Sequence, residues 1–504
     1  MPHTPKRVLF NITGAVVVAF WMVLMGIWIS RNLDDSPQRS EITGGKSGID
    51  HLEREWMEIY LKDRKVGYAM NQVNPFENAY LIQEEVVLNL NLLGQSSVMR
   101  SLTRAVVDGD FYLQTFFFRV RSGVVTFQVS GKVDGNMMHV KTGEERTDRE
   151  RFTVPLDGPV VIGAGMSHFF KGRTLEPGMS FQLPLFDPST MSRKQVNVRV
   201  VEKESVVINR IQYPAYRLEM RMFSQDLAFW VDEQGILLKE KGFMGLTLVK
   251  SSGARAAKDI TEGEGADFYE LASVPVERKL SRPRSIRRLK VRLKGIRPST
   301  LDMETVNQGR QRLTADVLEV MQEKGPLRAT YGLPYTNGSG KMKPYLEPEL
   351  TIQSEHPLMV EKAGEVSAGE KDPVQTARRL MQWVFSTVEK RPVVSVPSAL
   401  EVLKRRVGDC NEHAVLLTAL LRALKIPARL CTGLVYMDGR FYYHAWVEAY
   451  VGTWLSMDPT LNQMPADATH IKLAQGEMEK QVDLMALMGN LELEVMDYAY
   501  DSPH

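Results

Sequence analysis

The sequence predicts an α+β chain in several parts: an N-terminal transmembrane helix, an antiparallel β-rich domain and a C-terminal α+β domain. Three observations predict it. Residues 8–29 carry no formal charge, residues 54–250 alternate apolar and polar side chains in short runs, and beyond residue 370 two apolar stripes at helical spacing precede further alternating runs. At 504 residues the chain exceeds one ordinary core, so two or three domains are expected.

The net charge of +2 gives no global field that would recruit nucleic acid, and none is expected as a partner. Two cysteines, Cys410 and Cys431, rule out a disulfide-stapled scaffold. There is no Gly-rich phosphate loop between strand and helix, and no HExxH or CxxC spacing, which takes support from nucleotide chemistry and zinc hydrolysis.

Residues 1–30 read as a cytoplasmic stub and membrane anchor. The 22 uncharged residues 8–29 would extend about 33 Å as a helix, enough for a hydrocarbon core. Lys6 and Arg7 before the run place the N-terminus in the cytoplasm and the bulk of this single-pass chain outside it, in the periplasm of a Gram-negative cell. Residues 31–53 read as a juxtamembrane linker. In residues 54–250 the strand periodicity predicts about ten antiparallel strands, with turns at Gly109, Gly131, Gly135 and Gly235.

Residues 251–276 form a polar connector, and residues 277–355 a connecting region with a basic strand. Residues 278–294 hold nine basic residues and no acid. Arg288, Lys290 and Arg292 alternate with Leu289, Val291 and Leu293, so the run ends as a half-buried strand. Its basic face is either solvated surface or a contact for an anionic lipid or wall polymer.

The C-terminal α+β domain spans residues 356–480, with a tail at 481–504. Asp372 and Pro373 form a helix start, and Ser398 with Glu401 forms a capping-box pattern for a second short helix. Cys410 stands in a Gly-Asp-Cys-Asn-Glu run at the mouth of a further helix, where unpaired N–H groups and the helix dipole favour thiolate over thiol. Cys431 lies in an alternating run and reads as a packing residue. His444 sits on the next strand, and beyond a turn at 451–453 a hairpin brings Asp458 to within about one residue of facing it. A nucleophile at a helix mouth, a base on a strand and an acid on the adjoining strand are the parts one thiol mechanism needs together. The rival for the same atoms is a metal held by Cys410, His413 and His444. The triad is the stronger reading, so no metal and no cofactor are expected.

Gly408-Asp409-Cys410, Tyr443 through Glu448, and Trp454 through Thr460 resemble the motifs of the transglutaminase-like superfamily, in the family's order. The resemblance covers the last third of the chain. It implies a papain-like, transglutaminase-like α+β core, with Cys410 as nucleophile, His444 as base and Asp458 orienting the ring through a thioester intermediate. The expected function is a membrane-anchored extracytoplasmic peptidase or amidohydrolase acting on a protein or peptide amide. The alternatives are a protein-crosslinking transglutaminase, and a non-catalytic protein that binds lipid, wall polymer or a partner through the β domain.

Overall fold

The computed structural model describes residues 53–500 apart from 62–63, 93–94, 124, 144–150, 223–224, 243–244, 259–272, 297–300, 324–328, 337–339, 392–395 and 477–490. The chain divides into two compact units at residues 268–269.

The first unit is built on a fifteen-stranded sheet. Its opening strand, Glu53–Leu61, lies in the middle and pairs antiparallel on one side with Arg64–Phe76 and on the other with the unit's last strand, Leu246–Ser251. From there the strands run outward in sequence to the edges, Arg151–Pro155 and Val161–Ile162. These two edges are joined by five residues, which can bridge no more than about 20 Å. Fifteen strands laid flat would be far wider at about 4.8 Å apiece, so the sheet must curl back on itself. Inward residues such as Ile59, Val73, Ile82, Val120, Val198 and Phe229 are buried at alternate positions along the strands.

Two details differ from the sequence reading. The strands number fifteen rather than about ten because the connections are short, with two residues joining Ser192–Ile208 to Ile211–Met222, and this holds even though several strands are long. Gly131 is no turn but lies inside Val125–Asp134, where an added Cβ would fall 2.3 Å from the Phe116 ring.

The second unit holds the longer helices. Asp372 caps Pro373–Thr387 by accepting from the N–H groups of Val374 (2.7 Å) and Gln375 (3.0 Å). Ser398 precedes Ala399–Arg405 but makes no capping bond; its hydroxyl donates to Gln353 instead. The helix Cys410–Ala423 is buried on all sides from Cys410 to Arg422, which makes it the central helix of this core. It packs on a sheet in which Arg440–Tyr450 lies between Ser273–Pro275 and Ala428–Met437, the latter also pairing with Ile471–Gln475, while Trp454–Met457 adds to Arg440–Tyr450. A second sheet joins Gln311–Thr314, Val317–Met321, Ile286–Lys294 and Glu492–Tyr500.

The predicted basic strand is Ile286–Lys294. Its outward charges meet acids on neighbouring strands and turns: Arg288 with Glu319 and Asp497, Arg292 with Asp316 and Glu494, Lys294 with Glu494.

The α+β fold class requires correction. Among the described residues strands make up 51% and helices 19%, so this part of the protein is mostly β, because the fifteen-stranded sheet outweighs a handful of helices. The transmembrane helix and the localisation built on it, a single-pass protein with an extracytoplasmic or periplasmic bulk, are corrected too. Among the described residues no helix is long and apolar enough to cross a membrane. The Pro373–Thr387 helix, at 15 residues, would reach only about 22 Å against a core of about 30 Å. Residues 8–29, on which the membrane reading rested, lie outside the described residues.

Candidate active site

Cys410 opens its helix behind Asp409, which is the N-cap. The Asp409 carboxylate accepts from the N–H of Asn411 (2.8 Å), and Glu412 reaches back to accept from the N–H of Asp409 (3.0 Å), which completes a capping box. Gly408 makes room for it, since a Cβ there would lie 2.2 Å from Glu412 Cβ. Asp409, Cys410, Asn411, Glu412 and His413 are all buried, so the polar run at this helix mouth belongs to the interior.

The electrostatics at the sulfur oppose the expected thiolate. Burial pushes the Cys410 thiol well above its usual value, and the Asp409, Glu412 and Asp458 carboxylates push the same way. The N–H of Ala445 donates to the sulfur and opposes them without prevailing. The helix dipole loses here to burial first and to the neighbouring carboxylates second, the N-cap Asp409 also taking the N–H of Asn411. The resting sulfur is a neutral thiol.

The Ala445 contact brings the sulfur beside the peptide that links His444 to Ala445. His444 stands on Arg440–Tyr450 opposite Gly433, where an added Cβ would fall 1.9 Å from the carbonyl oxygen of Ile471. The adjoining strand pairs Val447 with Met457, a register that aligns Asp458 with Trp446 rather than with His444. The contact is diagonal: His444 Nε2 lies 2.8 Å from Asp458 Oδ2. His444 Nδ1 is buried and makes no hydrogen bond to the described residues. Burial lowers the His444 pKa even though Asp458 pulls it upward, so the resting ring is neutral.

Asp458 is fully buried and fully engaged. Its Oδ1 accepts from the N–H groups of Thr460 (2.7 Å) and Leu461 (2.9 Å), while Oδ2 also meets His470 Nε2 at 3.0 Å. Burial alone would raise this carboxyl, but His444 and His470 outweigh it and hold the group well below the usual carboxylate range. Trp446 lies against both rings, nearly parallel to His444 at 6.3 Å and edge-on to His470 at 5.3 Å.

His470 escaped the sequence reading. It follows a polar Asp467-Ala-Thr sequence with no periodicity, and the one signal for it is a second histidine soon after Asp458. His413, named with Cys410 and His444 as a metal set, turns its Nδ1 to the carbonyl of Asp409 at 2.6 Å, and burial lowers its pKa to about 4. Among the described residues the cluster with metal-like spacing is His444, Asp458 and His470. Its 2.8 and 3.0 Å separations are direct hydrogen bonds, shorter than the ~3.3 Å between ligands that metal bonds of about 2.0–2.1 Å impose in a tetrahedral site. Cys431 is buried in Ala428–Met437, and burial pushes its thiol up to about 12.

Several known proteins resemble parts of this chain. The transglutaminase-like superfamily matches residues 360–459, and a protein family of unknown function, DUF3108, matches residues 57–245. An uncharacterised protein of Mycobacterium leprae is 26% identical over 129 residues, which is 23% of this chain; the match spans 45% of that relative's length. A solved structure from Cytophaga hutchinsonii, put forward as a cysteine protease, aligns with 44% of this chain and 89% of its own at 17% identity and a TM-score of 0.28. A β-barrel-like DUF1849 protein from Brucella abortus aligns with 40% of this chain and 96% of its own at 14% identity and a TM-score of 0.31. Similarities at these TM-scores carry no weight for fold or function. The superfamily match does carry weight, because it spans Cys410, His444 and Asp458: the C-terminal region of this chain is transglutaminase-like.

Proposed function

We propose that the C-terminal region is an acyl-transfer enzyme that hydrolyses peptide or other amide bonds, with Cys410 as nucleophile, His444 as base and Asp458 holding the ring. One observation carries this reading. Asp458 engages His444 through Nε2, which leaves Nδ1 as a buried lone pair on the residue whose following N–H grips the Cys410 sulfur.

The sulfur attacks the carbonyl carbon as its proton passes to His444 Nδ1. That proton then goes to the departing amine as the C–N bond breaks, leaving a thioester. Water gives a proton to His444 and attacks the thioester; the S–C bond breaks and the proton returns to sulfur. Because burial raises the thiol and lowers the imidazole, the proton moves during attack and not before it. An amine in place of water would give crosslinking through the same thioester; water, always in large excess, is the acceptor proposed.

Cys431 supplies an internal control, being as buried as Cys410 but on a strand with no histidine base assigned to it. Iodoacetamide should alkylate Cys410 at least about tenfold faster than Cys431 in the native protein, read by peptide mass spectrometry. His444→Ala should collapse that ratio. Equal rates at the two cysteines, or a ratio indifferent to His444→Ala, would sink the reading. Stable incorporation of a labelled primary amine into an acyl substrate, without hydrolysed product, would move the assignment to transfer.

A further inference from the structure

Two rings share one carboxylate oxygen. Asp458 Oδ2 lies 2.8 Å from His444 Nε2 and 3.0 Å from His470 Nε2, while Oδ1 is taken by two backbone N–H groups. An ionised carboxylate only accepts, so each ring must carry its Nε2 proton toward it. On His470 the other nitrogen stands 3.4 Å from Asp467 Oδ1. The two atoms are close enough for an ion pair but not aligned as a hydrogen bond, and the nearness of the Asp467 charge favours a proton on that nitrogen. Asp467 is itself fixed by Arg284 Nη1 (2.9 Å) and by the N–H and hydroxyl of Thr469 (2.7 and 2.5 Å). Asp458, Asp467 and His470 are all fully buried.

We propose that His470 is a positioning residue: as an imidazolium clamped between Asp458 and Asp467, it shares the Asp458 carboxylate with His444 and limits how strongly that carboxylate favours protonated His444. The inference rests on the reading of Cys410 and His444 as nucleophile and base. Its chemical sense lies in the second half of the proton's path. A base that holds its proton too tightly is a poor donor to the departing amine, and a second cation on the same carboxylate weakens that hold.

Burial alone would lower the His470 pKa, but Asp467 and Asp458 outweigh it and hold it above its usual value. The groups around the shared carboxylate are His444 on its strand, His470, Lys390, His413 and Cys410; Asp467 lies behind His470, and Arg284 acts on both Asp467 and His444.

The test follows alkylation of Cys410 by iodoacetamide from pH 5 to 9 in the full chain, with His444→Ala, His470→Gln and Asp467→Asn beside the wild type. Glutamine can still donate to Asp458 Oδ2 but carries no charge. His470→Gln should move the acid limb of the Cys410 rate upward by about one pH unit, as loss of a neighbouring like charge implies. Asp467→Asn, which removes the anion that keeps His470 charged, should move it the same way, and the His444 ring titration followed by NMR should shift with it. A merely structural role would change yield or melting temperature and leave the limb in place. A limb that stays put or moves down in both variants overturns the proposal; if circular dichroism shows His470→Gln unfolded, Asp467→Asn decides. If instead His444→Ala reproduces the wild-type profile, the assignment of base and nucleophile has failed, a result distinct from failure at His470.

Discussion

At Glu448, two strand positions from Trp446, a single carboxylate meets two buried cations. Its Oε2 accepts from Arg429 Nε (2.8 Å) and Lys472 Nζ (2.9 Å), and all three side chains are buried. Burial alone would raise this carboxyl, but Lys472 and Arg429 hold it down at about 2 against an ordinary 4.5. A depressed folded-state pKa gives stability that is fully present above the unfolded value and is lost as pH falls through the folded one. That window runs here from about pH 4.5 down to about 2. Glu448→Gln should therefore cost roughly 3 kcal/mol at pH 7, because Arg429 and Lys472 stay buried with their partner neutralised. The gap to wild type should narrow steadily as urea melts are repeated toward pH 2; a gap that is constant with pH would show that the carboxylate charge plays no part. At this scale the sequence was readable where chemistry is local. Cys410, His444 and Asp458 could be named because a helix mouth and two neighbouring strands each leave a mark in the sequence. His470 left only its place as a second histidine soon after Asp458, because its role depends on a loop that returns it to that carboxylate. The protonation of Cys410 was unreadable for another reason: burial sets it, and burial of a polar run is a property of the fold.

Among the elements, the alternating pattern of residues 54–250 revealed strands because side-chain period survives any arrangement of the sheet, whereas strand number depends on where turns interrupt it. The Ser398 pattern named a capping box that does not form, since Gln353 competes for the hydroxyl; the box that does form is at Asp409 and Glu412, where Gly408 leaves room. Gly433 tests how tightly such close approaches are set. It faces His444 across one strand pair and meets Ile471–Gln475 on its other side, where the register shifts between Thr432 and Gly433. Gly433→Ala would place a methyl 1.9 Å from Ile471 O and 2.9 Å from its carbonyl carbon, so the strand must move away. The expected cost is about 1–3 kcal/mol, the usual range for overpacking. Hydrogen exchange should rise first in residues 471–475. Unchanged protection there would mean that the strand pair yields without loss.

Within the C-terminal unit, the farthest reach of the chain supports the site from behind. The closing strand Glu492–Tyr500 pairs with Ile286–Lys294 across some two hundred residues of sequence. It also grips the segment just before that strand: Arg278 donates to Met496 O and lies over Tyr498, Arg282 lies over Tyr500, and the Tyr500 hydroxyl donates to Ser281 O. Arg284 in that segment holds Asp467, and the N–H of Ala468 donates to Ile286 O (2.9 Å). A continuous set of contacts therefore runs from the closing strand through Arg284, Asp467, His470 and Asp458 to His444. A cut after residue 490 removes this strand but leaves Cys410, His444, Asp458, Asp467 and His470 in the chain. Such a truncation should nevertheless bring the Cys410-to-Cys431 alkylation ratio down toward one, because an unpaired Ile286–Lys294 edge no longer fixes Arg284. Each surface ion pair of that strand is worth little alone, so Glu494→Gln with Asp497→Asn in the full chain should leave the ratio close to wild type. Loss in the truncated chain with retention in the double variant is the signature of support through backbone pairing. Retention in both would show that the site stands without its closing strand.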